Sequence, residues 1–258
     1  QERSFVESEN SQENGKIALI TGAGSGIGLA TAYFLAEKGC KVIAVDINEE
    51  ALEKISSHDN ITVLPADLGD LEQRNKVIEA GNGIHYLVNA AGVILLKDIW
   101  DVDVEEWRRI QLVNSEATFF LCQGIGSTMQ PGGSIVNLSS SSAKLSTTVE
   151  AAVYAASKTT ILSITRSFAY ALAQVPVRVN AVCPAIIDTP MQDSVLEKVS
   201  KERGISIDEL RDSRNSSVPM GRPGQPEELA RLIWFLLSDG GDYMTGQAIN
   251  FGGGYVTW

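Results

Sequence analysis

The sequence predicts a doubly wound α/β fold: one domain, a parallel sheet of about seven strands, and helices on both faces. Three observations carry this. Short, almost continuously apolar runs alternate with longer stretches of helical period nearly throughout the 258 residues. Such uninterrupted apolar runs are what strands buried on both faces look like. No internal repeat, low-complexity block or linker divides the chain. Each strand–helix–strand step then crosses over right-handed.

The elements follow in order. Lys16–Thr21 is an apolar strand ended by Gly22, and a helix over Gly26 to Lys38 is stopped by Gly39. Lys41–Asp46 is a second strand, Glu49–Ser56 a helix, Ile61–Leu64 a third strand, and Leu71–Ala80 a short helix. His85–Asn89 is the fourth strand. Two long helical stretches, Val104–Gln123 and Ala152–Ala173, flank the strand Ser134–Leu138. Val177–Val182 is the sixth strand, and Gln247–Asn250 a short last one. Pro226–Leu237 is helical, with proline in its first turn and apolar residues on one face. The stretch from Pro184 to Pro226 is polar and interrupted by prolines and glycines. It is too long for a plain connection and reads as a lid, around residues 185–225. Residues 1–14 are polar and acidic and read as a flexible tail before a single domain over 15–258.

Composition narrows the function. Apolar residues are 44% and charged residues 21%, as in ordinary globular proteins. The net charge of −11 without a basic stripe argues against nucleic acid and anionic membrane as partners. No apolar run reaches the roughly 18 residues a membrane span needs, and no basic-then-apolar leader pattern opens the chain. Three scattered cysteines (Cys40, Cys122, Cys183) and two histidines offer neither a disulfide framework nor a metal site. A reducing, cytoplasmic setting is the expectation.

Thr21-Gly22-Ala23-Gly24-Ser25-Gly26-Ile27-Gly28 sits between a predicted strand and a predicted helix. Glycine permits the tight turn and the close approach of a pyrophosphate, which the helix N-terminus then attracts. Asp46 ends the second strand. A carboxylate there accepts hydrogen bonds from ribose hydroxyls and repels a 2′-phosphate. Neither Ser25 nor Ile47 offers a cation to that phosphate, so the expected cofactor is NAD rather than NADP. A mere turn-capping role for Asp46 is the weaker reading.

Tyr154 and Lys158 lie at i and i+4, neighbours on one helix face. The ammonium favours the phenolate and so fits tyrosine for proton transfer near neutral pH. Alone, this pair equally suits a packed tyrosine with a snorkelling lysine. It does not stand alone. The glycine motif, Asn89-Ala90-Ala91-Gly92, Asn114, the serines Ser139 to Ser142 and Tyr154-Ala155-Ala156-Ser157-Lys158 occur in order. Together they resemble the short-chain dehydrogenase/reductase family over about Lys16 to Gly253.

That resemblance implies a Rossmann fold and hydride transfer between nicotinamide and a secondary alcohol or ketone. It implies a serine that orients the substrate oxygen. The strand-end register picks Ser140, whereas the family's more usual spacing to tyrosine picks Ser141; the strand register is preferred. It implies that Asn114 holds a water linking Lys158 to solvent, and that Lys158 also holds the nicotinamide ribose. Asp67 and Leu68 resemble the adenine contact, Asn89, Ala90, Ala91 and Gly92 the segment lining the cofactor, and Ile187 and Thr189, after Pro184, the loop that bonds the nicotinamide amide. Ala185 follows Pro184 where glycine is usual, and Phe251 stands where an aspartate is common. The substrate pocket is expected from Val93, Ile94, Ser142, Lys144, Glu150, Ala151, Met191, Val195 and Trp258. It allows a polyol, a sugar-derived alcohol, a hydroxy acid or a cyclic alcohol. The subgroup acting on small hydroxy acids carries arginine three residues before the tyrosine, where Ala151 stands here. A homotetramer or homodimer is implied. The alternatives are a 3-oxoacyl thioester reductase, which Asp46 disfavours, and a non-catalytic NAD-binding regulator, which has no need of the Ser/Tyr/Lys/Asn set.

Overall fold

The computed structural model describes residues 15–146 and 148–258; the tail expected over 1–14 lies outside them. Seven parallel strands form one sheet in the order β3-β2-β1-β4-β5-β6-β7. They are β1 (Ile17–Thr21), β2 (Lys41–Asp46), β3 (Ile61–Pro65), β4 (Tyr86–Asn89), β5 (Ser134–Leu138), β6 (Arg178–Pro184) and β7 (Ala248–Phe251). β1, β4 and β5 are buried on both faces because helices cover both. The strand order reverses between β1 and β4, where Thr21 lies beside Asn89. The crevice at the carboxyl ends of these two strands is where an open α/β sheet binds its ligand.

One face carries α1 (Gly26–Glu37) and α9 (Pro226–Leu237), which pack on each other through Ala32, Leu35, Ala36, Leu229 and Ile233. The other face carries α3 (Leu71–Ala80), α5 (Ala117–Gly126) and α6 (Ala152–Leu172) around Leu121, Ile125, Ile164 and Leu172. A short α2 (Glu49–Glu53) joins β2 to β3, capped by the Asn48 side chain.

Two stretches differ from the sequence expectation. The long helix expected over Val104–Gln123 is interrupted. α4 (Val104–Gln111) passes through a π-helical turn, Leu112–Glu116, before α5 begins. A single wider turn of this kind re-aims side chains without ending the helix, and neither composition nor period announces it. The presumed lid is helical over much of its length: α7 (Pro190–Arg203) starts with proline at its first turn and ends at Gly204 in the left-handed conformation, and α8 (Ile207–Ser216) opens with a Ser206/Glu209 capping box. Both helices are mostly polar and bury only Val195, Leu196 and Leu210, so apolar period gave them away poorly. Gly224 pairs with Ile187 and closes the base of this segment.

Candidate active site

The glycine loop follows from where β1 must end. Gly22 (φ +68°) and Gly26 (φ +51°) take left-handed backbone that other residues rarely adopt. A Cβ on Gly28 would stand 2.0 Å from the Gly22 carbonyl oxygen. The loop therefore folds back on its own helix start so closely that only hydrogen fits. Ser25 makes no side-chain cap bond and the first turn of α1 holds no acid, so the positive end of α1 stays open to an anion.

Asp46 anchors the other side of this groove. Its carboxylate accepts from the Gly24 amide at 2.9 Å and from the Asn48 amide at 2.9 Å. Each oxygen keeps further lone-pair capacity toward the groove. Gly22, Ser25, Gly26, Ile27, Gly28, Asp46, Ile47, Asp67, Leu68, Ala90, Ala91, Gly92 and Thr189 share one cavity of about 590 Å³. Asn89 is not among its walls. It lies beneath, donating to Asn137 Oδ1 at 2.8 Å, with its own Oδ1 buried and unpartnered. Above it the Ala90 and Ala91 amides donate to Thr21 Oγ1. The groove also has walls that sequence reasoning missed: Arg109, Leu112 and Val113. Their nearness to Asn114 in the chain was the available signal, but the π-helical turn that brings them there was not legible.

A second cavity of about 400 Å³ adjoins the first, sharing Ile27, Ala90, Gly92, Thr189 and Met191 with it. Ser140, Ser141, Tyr154, Lys158, Pro184 and Ile187 line it. Ser140 lies just beyond the end of β5, and its hydroxyl hydrogen-bonds the Tyr154 phenol in the first turn of α6. Ser140 and Ser141 both line this cavity, and Ser140 is the one in contact with the tyrosine. Ser139 is turned away and donates to the Lys158 carbonyl at 2.8 Å.

Lys158 is 4% exposed, with its ammonium donating to the Leu138 carbonyl at 2.8 Å and lying 5.7 Å from the centre of the Tyr154 ring. Burial pulls its pKa down to about 8, with Cys183 nearby opposing the fall. The same burial raises the Tyr154 phenol, and the Ser140 hydroxyl offsets part of that rise. The expected lysine-driven depression of the phenol is therefore not what the protein alone produces. Desolvation of both groups dominates.

Asn114 sits in the π-helical turn with its side chain fully engaged. It accepts from the Val93 amide at 2.8 Å and donates to the Val93 carbonyl and to Ser157 Oγ, both at 2.9 Å. It clamps the segment after Gly92 to α6. A Cβ on Gly92 would stand 3.2 Å from Lys158 Nζ and 3.4 Å from Asn114 Oδ1, which places lysine and asparagine around one point. The Asn114 amide hydrogens are both used, so any water here would be held by its carbonyl oxygens.

Of the residues expected in the substrate pocket, Ile94, Ser142, Glu150, Ala151, Met191 and Val195 line this second cavity; Val93 lines the first. Lys144 and Trp258 line neither. Lys144 instead donates to the Ala248 carbonyl and to Asn250 Oδ1 at 2.7 Å, while Asn250 donates to the Trp258 carbonyl. Missed walls include Gln192, Arg203, Arg214 and Tyr255, which the unforeseen lid helices and the C-terminal turn bring in. Ala185 takes an ordinary backbone angle, since among the described residues only Pro176 and glycines have positive φ.

Comparison with known proteins agrees with this layout. A family model described as Enoyl-(Acyl carrier protein) reductase matches residues 22–256. The chain is 36% identical to a 3-oxoacyl-(acyl-carrier-protein) reductase of Thermotoga maritima over 94% of this chain and 98% of that protein. It is 33% identical to an L-tagatose-forming galactitol 2-dehydrogenase of Cereibacter sphaeroides, over 95% and 96%. A crystal structure of a short chain dehydrogenase family protein from Francisella tularensis superposes with a TM-score of 0.86 at 30% identity, covering 93% and 98% of the two chains.

Proposed function

Because the chain belongs to the short-chain dehydrogenase/reductase family and is an oxidoreductase of CH–OH groups, we propose that it oxidises a small secondary alcohol, or reduces the matching ketone, with NAD. The observation that carries this is the convergence of the Ser140 hydroxyl, the Tyr154 phenol and the Lys158 ammonium in a cavity that opens into the glycine-walled groove.

The groove fits a dinucleotide. Its Gly22–Gly28 turn leaves no room for a Cβ on Gly28, and the open end of α1 suits the pyrophosphate. Asp46 would hold the adenosine ribose and Asp67 and Leu68 the adenine; Thr189 and Ile187 would face the nicotinamide. Lys158 spends one of its three N–H donors on Leu138, leaving two for the nicotinamide ribose. Bound NAD supplies the acceptor for the hydride that leaves the carbinol carbon. The protein's share is proton handling and orientation. Ser140 hydrogen-bonds the substrate oxygen, Tyr154 Oη takes the hydroxyl proton on oxidation and returns it on reduction, and the lysine ammonium stabilises the phenolate between the two. α7 and α8 serve as the lid.

NAD is favoured over NADP by the Asp46 carboxylate, although Arg109 supplies the groove with a cation from another element. Absorbance at 340 nm with NAD or NADP and panels of polyols, sugars, hydroxy acids and cyclic alcohols tests the reading. Turnover with NADP alone would overturn the cofactor assignment. Asp46→Ala should narrow the NAD/NADP ratio of kcat/KM by about tenfold or more, as expected for a charged hydrogen-bond acceptor; an unchanged ratio removes Asp46 from that role. A 3-oxoacyl thioester reductase is the second reading, favoured by the Thermotoga maritima relative, and requires turnover of an acyl thioester in the same assay.

We further propose a homotetramer or homodimer, with Phe119, Phe120 and Tyr170 exposed on α5 and α6 as its contact surface.

A further inference from the structure

The cavity that holds Ser140 and Tyr154 carries more charge than a pocket for neutral alcohols needs. Its walls include Glu150, Glu202, Arg203 and Arg214. Three of these four are matched by opposite charges: Glu150 with Arg203 at 3.6 Å, and Glu202 with Lys198 at 3.7 Å. Arg214, on α8, has no ion-pair partner among the described residues. It is half-buried, and burial pulls its pKa down while the Tyr255 phenol nearby works against that. A guanidinium withdrawn from water without a carboxylate is costly unless something supplies the missing charge. A second wall residue is also incomplete. Gln192, on α7, has its side-chain oxygen buried with no hydrogen-bond donor. α8 therefore brings a planar cation to the cavity that holds Tyr154, and α7 carries in the same wall a buried acceptor that no donor meets.

We propose that Arg214 is a carboxylate-binding residue of the substrate site, and that the substrate is a small polyhydroxylated carboxylic acid or its oxo form. This rests on the dehydrogenase reading above. The planar fork of arginine matches a carboxylate with two parallel hydrogen bonds. One hydroxyl of the same substrate faces the wall to which Gln192 contributes. A second hydroxyl lies against Ser140 and Tyr154; its carbon loses a hydride to the nicotinamide and its oxygen a proton to Tyr154, giving the oxo acid, reduced cofactor and one proton. A cavity of about 400 Å³ suits a ligand of this size. The position three residues before the tyrosine, Ala151, offers no cation, so the acid is held from the lid instead.

The test compares aldonates with alditols of equal chain length, four to six carbons, at fixed ionic strength, by two readouts. One is thermal stabilisation of the protein with reduced cofactor present; the other is 340 nm turnover. The expected result is stabilisation and turnover by at least one aldonate over its alditol. Arg214→Met should raise KM for that acid about 10- to 100-fold, with the larger change in KM rather than kcat. Arg214→Lys should recover part of the loss. Arg211→Met, an exposed position on the same helix paired with Asp208, should leave the acid preference intact and controls for folding of α8. Alditols or cyclic alcohols favoured over every aldonate, or an acid preference that survives Arg214→Met, would overturn the proposal and leave the dehydrogenase reading standing. Arg214-dependent binding of aldonate without hydride transfer would keep the carboxylate site and overturn the dehydrogenase reading.

Discussion

Tyr154 and Lys158 are both pushed by burial toward their neutral forms, the phenol upward and the ammonium down to about 8. Near pH 8 the protein alone therefore keeps the phenol protonated while the lysine changes charge, so forming the phenolate depends on the cofactor and substrate that fill the space around the pair. Tyr154→Phe removes the proton carrier but keeps the ring, so turnover should fall by about 100-fold or more while cofactor affinity measured by calorimetry holds. Equal turnover would remove Tyr154 from the chemistry. The lysine also writes a signature on stability. Its folded pKa lies below its unfolded value of 10.5, so between those values the unfolded chain binds more protons and stability rises with pH. Below about pH 8 the buried ammonium costs its full amount. Lys158→Met lacks this rise. Its stability relative to the wild type, from denaturant unfolding without cofactor, should fall by about 3 kcal/mol between pH 8 and 10.5. A flat difference would mean that the ammonium is not desolvated. Cys122, held up at about 12 by burial, works in the opposite direction above pH 9 in both proteins and cancels from the comparison.

The sheet and the pair α7 and α8, proposed as a lid, differ in how much buried surface holds them. β1, β4 and β5 are buried along almost their whole length, whereas α7 and α8 together bury three residues, Val195, Leu196 and Leu210. Local opening follows buried apolar contact. Backbone amides of α7 and α8 should exchange with solvent at least about 100-fold faster than those of β4 and β5, and should slow when NADH and substrate are added. Mass-spectrometric hydrogen exchange measures this, and equal protection would argue against a lid. The π-helical turn belongs at this scale too. Ser115 donates to the Ser157 carbonyl and Asn114 to the Ser157 hydroxyl, so the widened turn is stitched to α6 through polar bonds. It fixes Asn114 between the segment after Gly92 and the helix that bears Tyr154.

Across the whole molecule the two layers of helices are unequal. α1 and α9 pack on each other and on the sheet and leave Tyr33 and Phe235 partly exposed, while α5 and α6 leave Phe119, Phe120 and Tyr170 partly or fully exposed, the last at 89%. Phe119 already meets Phe120 and Phe168 edge-on, and Arg74 lies over Phe120. An aromatic surface of this kind suits the subunit contact proposed above. Light scattering should give a dimer or tetramer, and Phe119→Asp with Tyr170→Asp should lower the mass to that of a smaller species. A monomeric wild type would remove the assembly from the proposal.

What the residues alone determined was the alternation of apolar strands with helices, the glycine turn, and the pairing of Tyr154 with Lys158. Each is a local fact: period, backbone permission at Gly22 and Gly26, or four residues along one helix. The register at the end of β5 likewise favours Ser140 over Ser141. What only the tertiary structure decided was long-range. Asn89 looks like a lining residue in sequence but is spent on Asn137 beneath the groove. Lys144 looks like a pocket cation but ties down β7. Arg109 and Arg214 carry no motif and reach their cavities because a widened helical turn and a polar lid helix carry them there. Chain-local chemistry fixes which backbone a segment adopts. Which side chains share a cavity depends on how far and in what direction the intervening elements turn, and no short spacing encodes that.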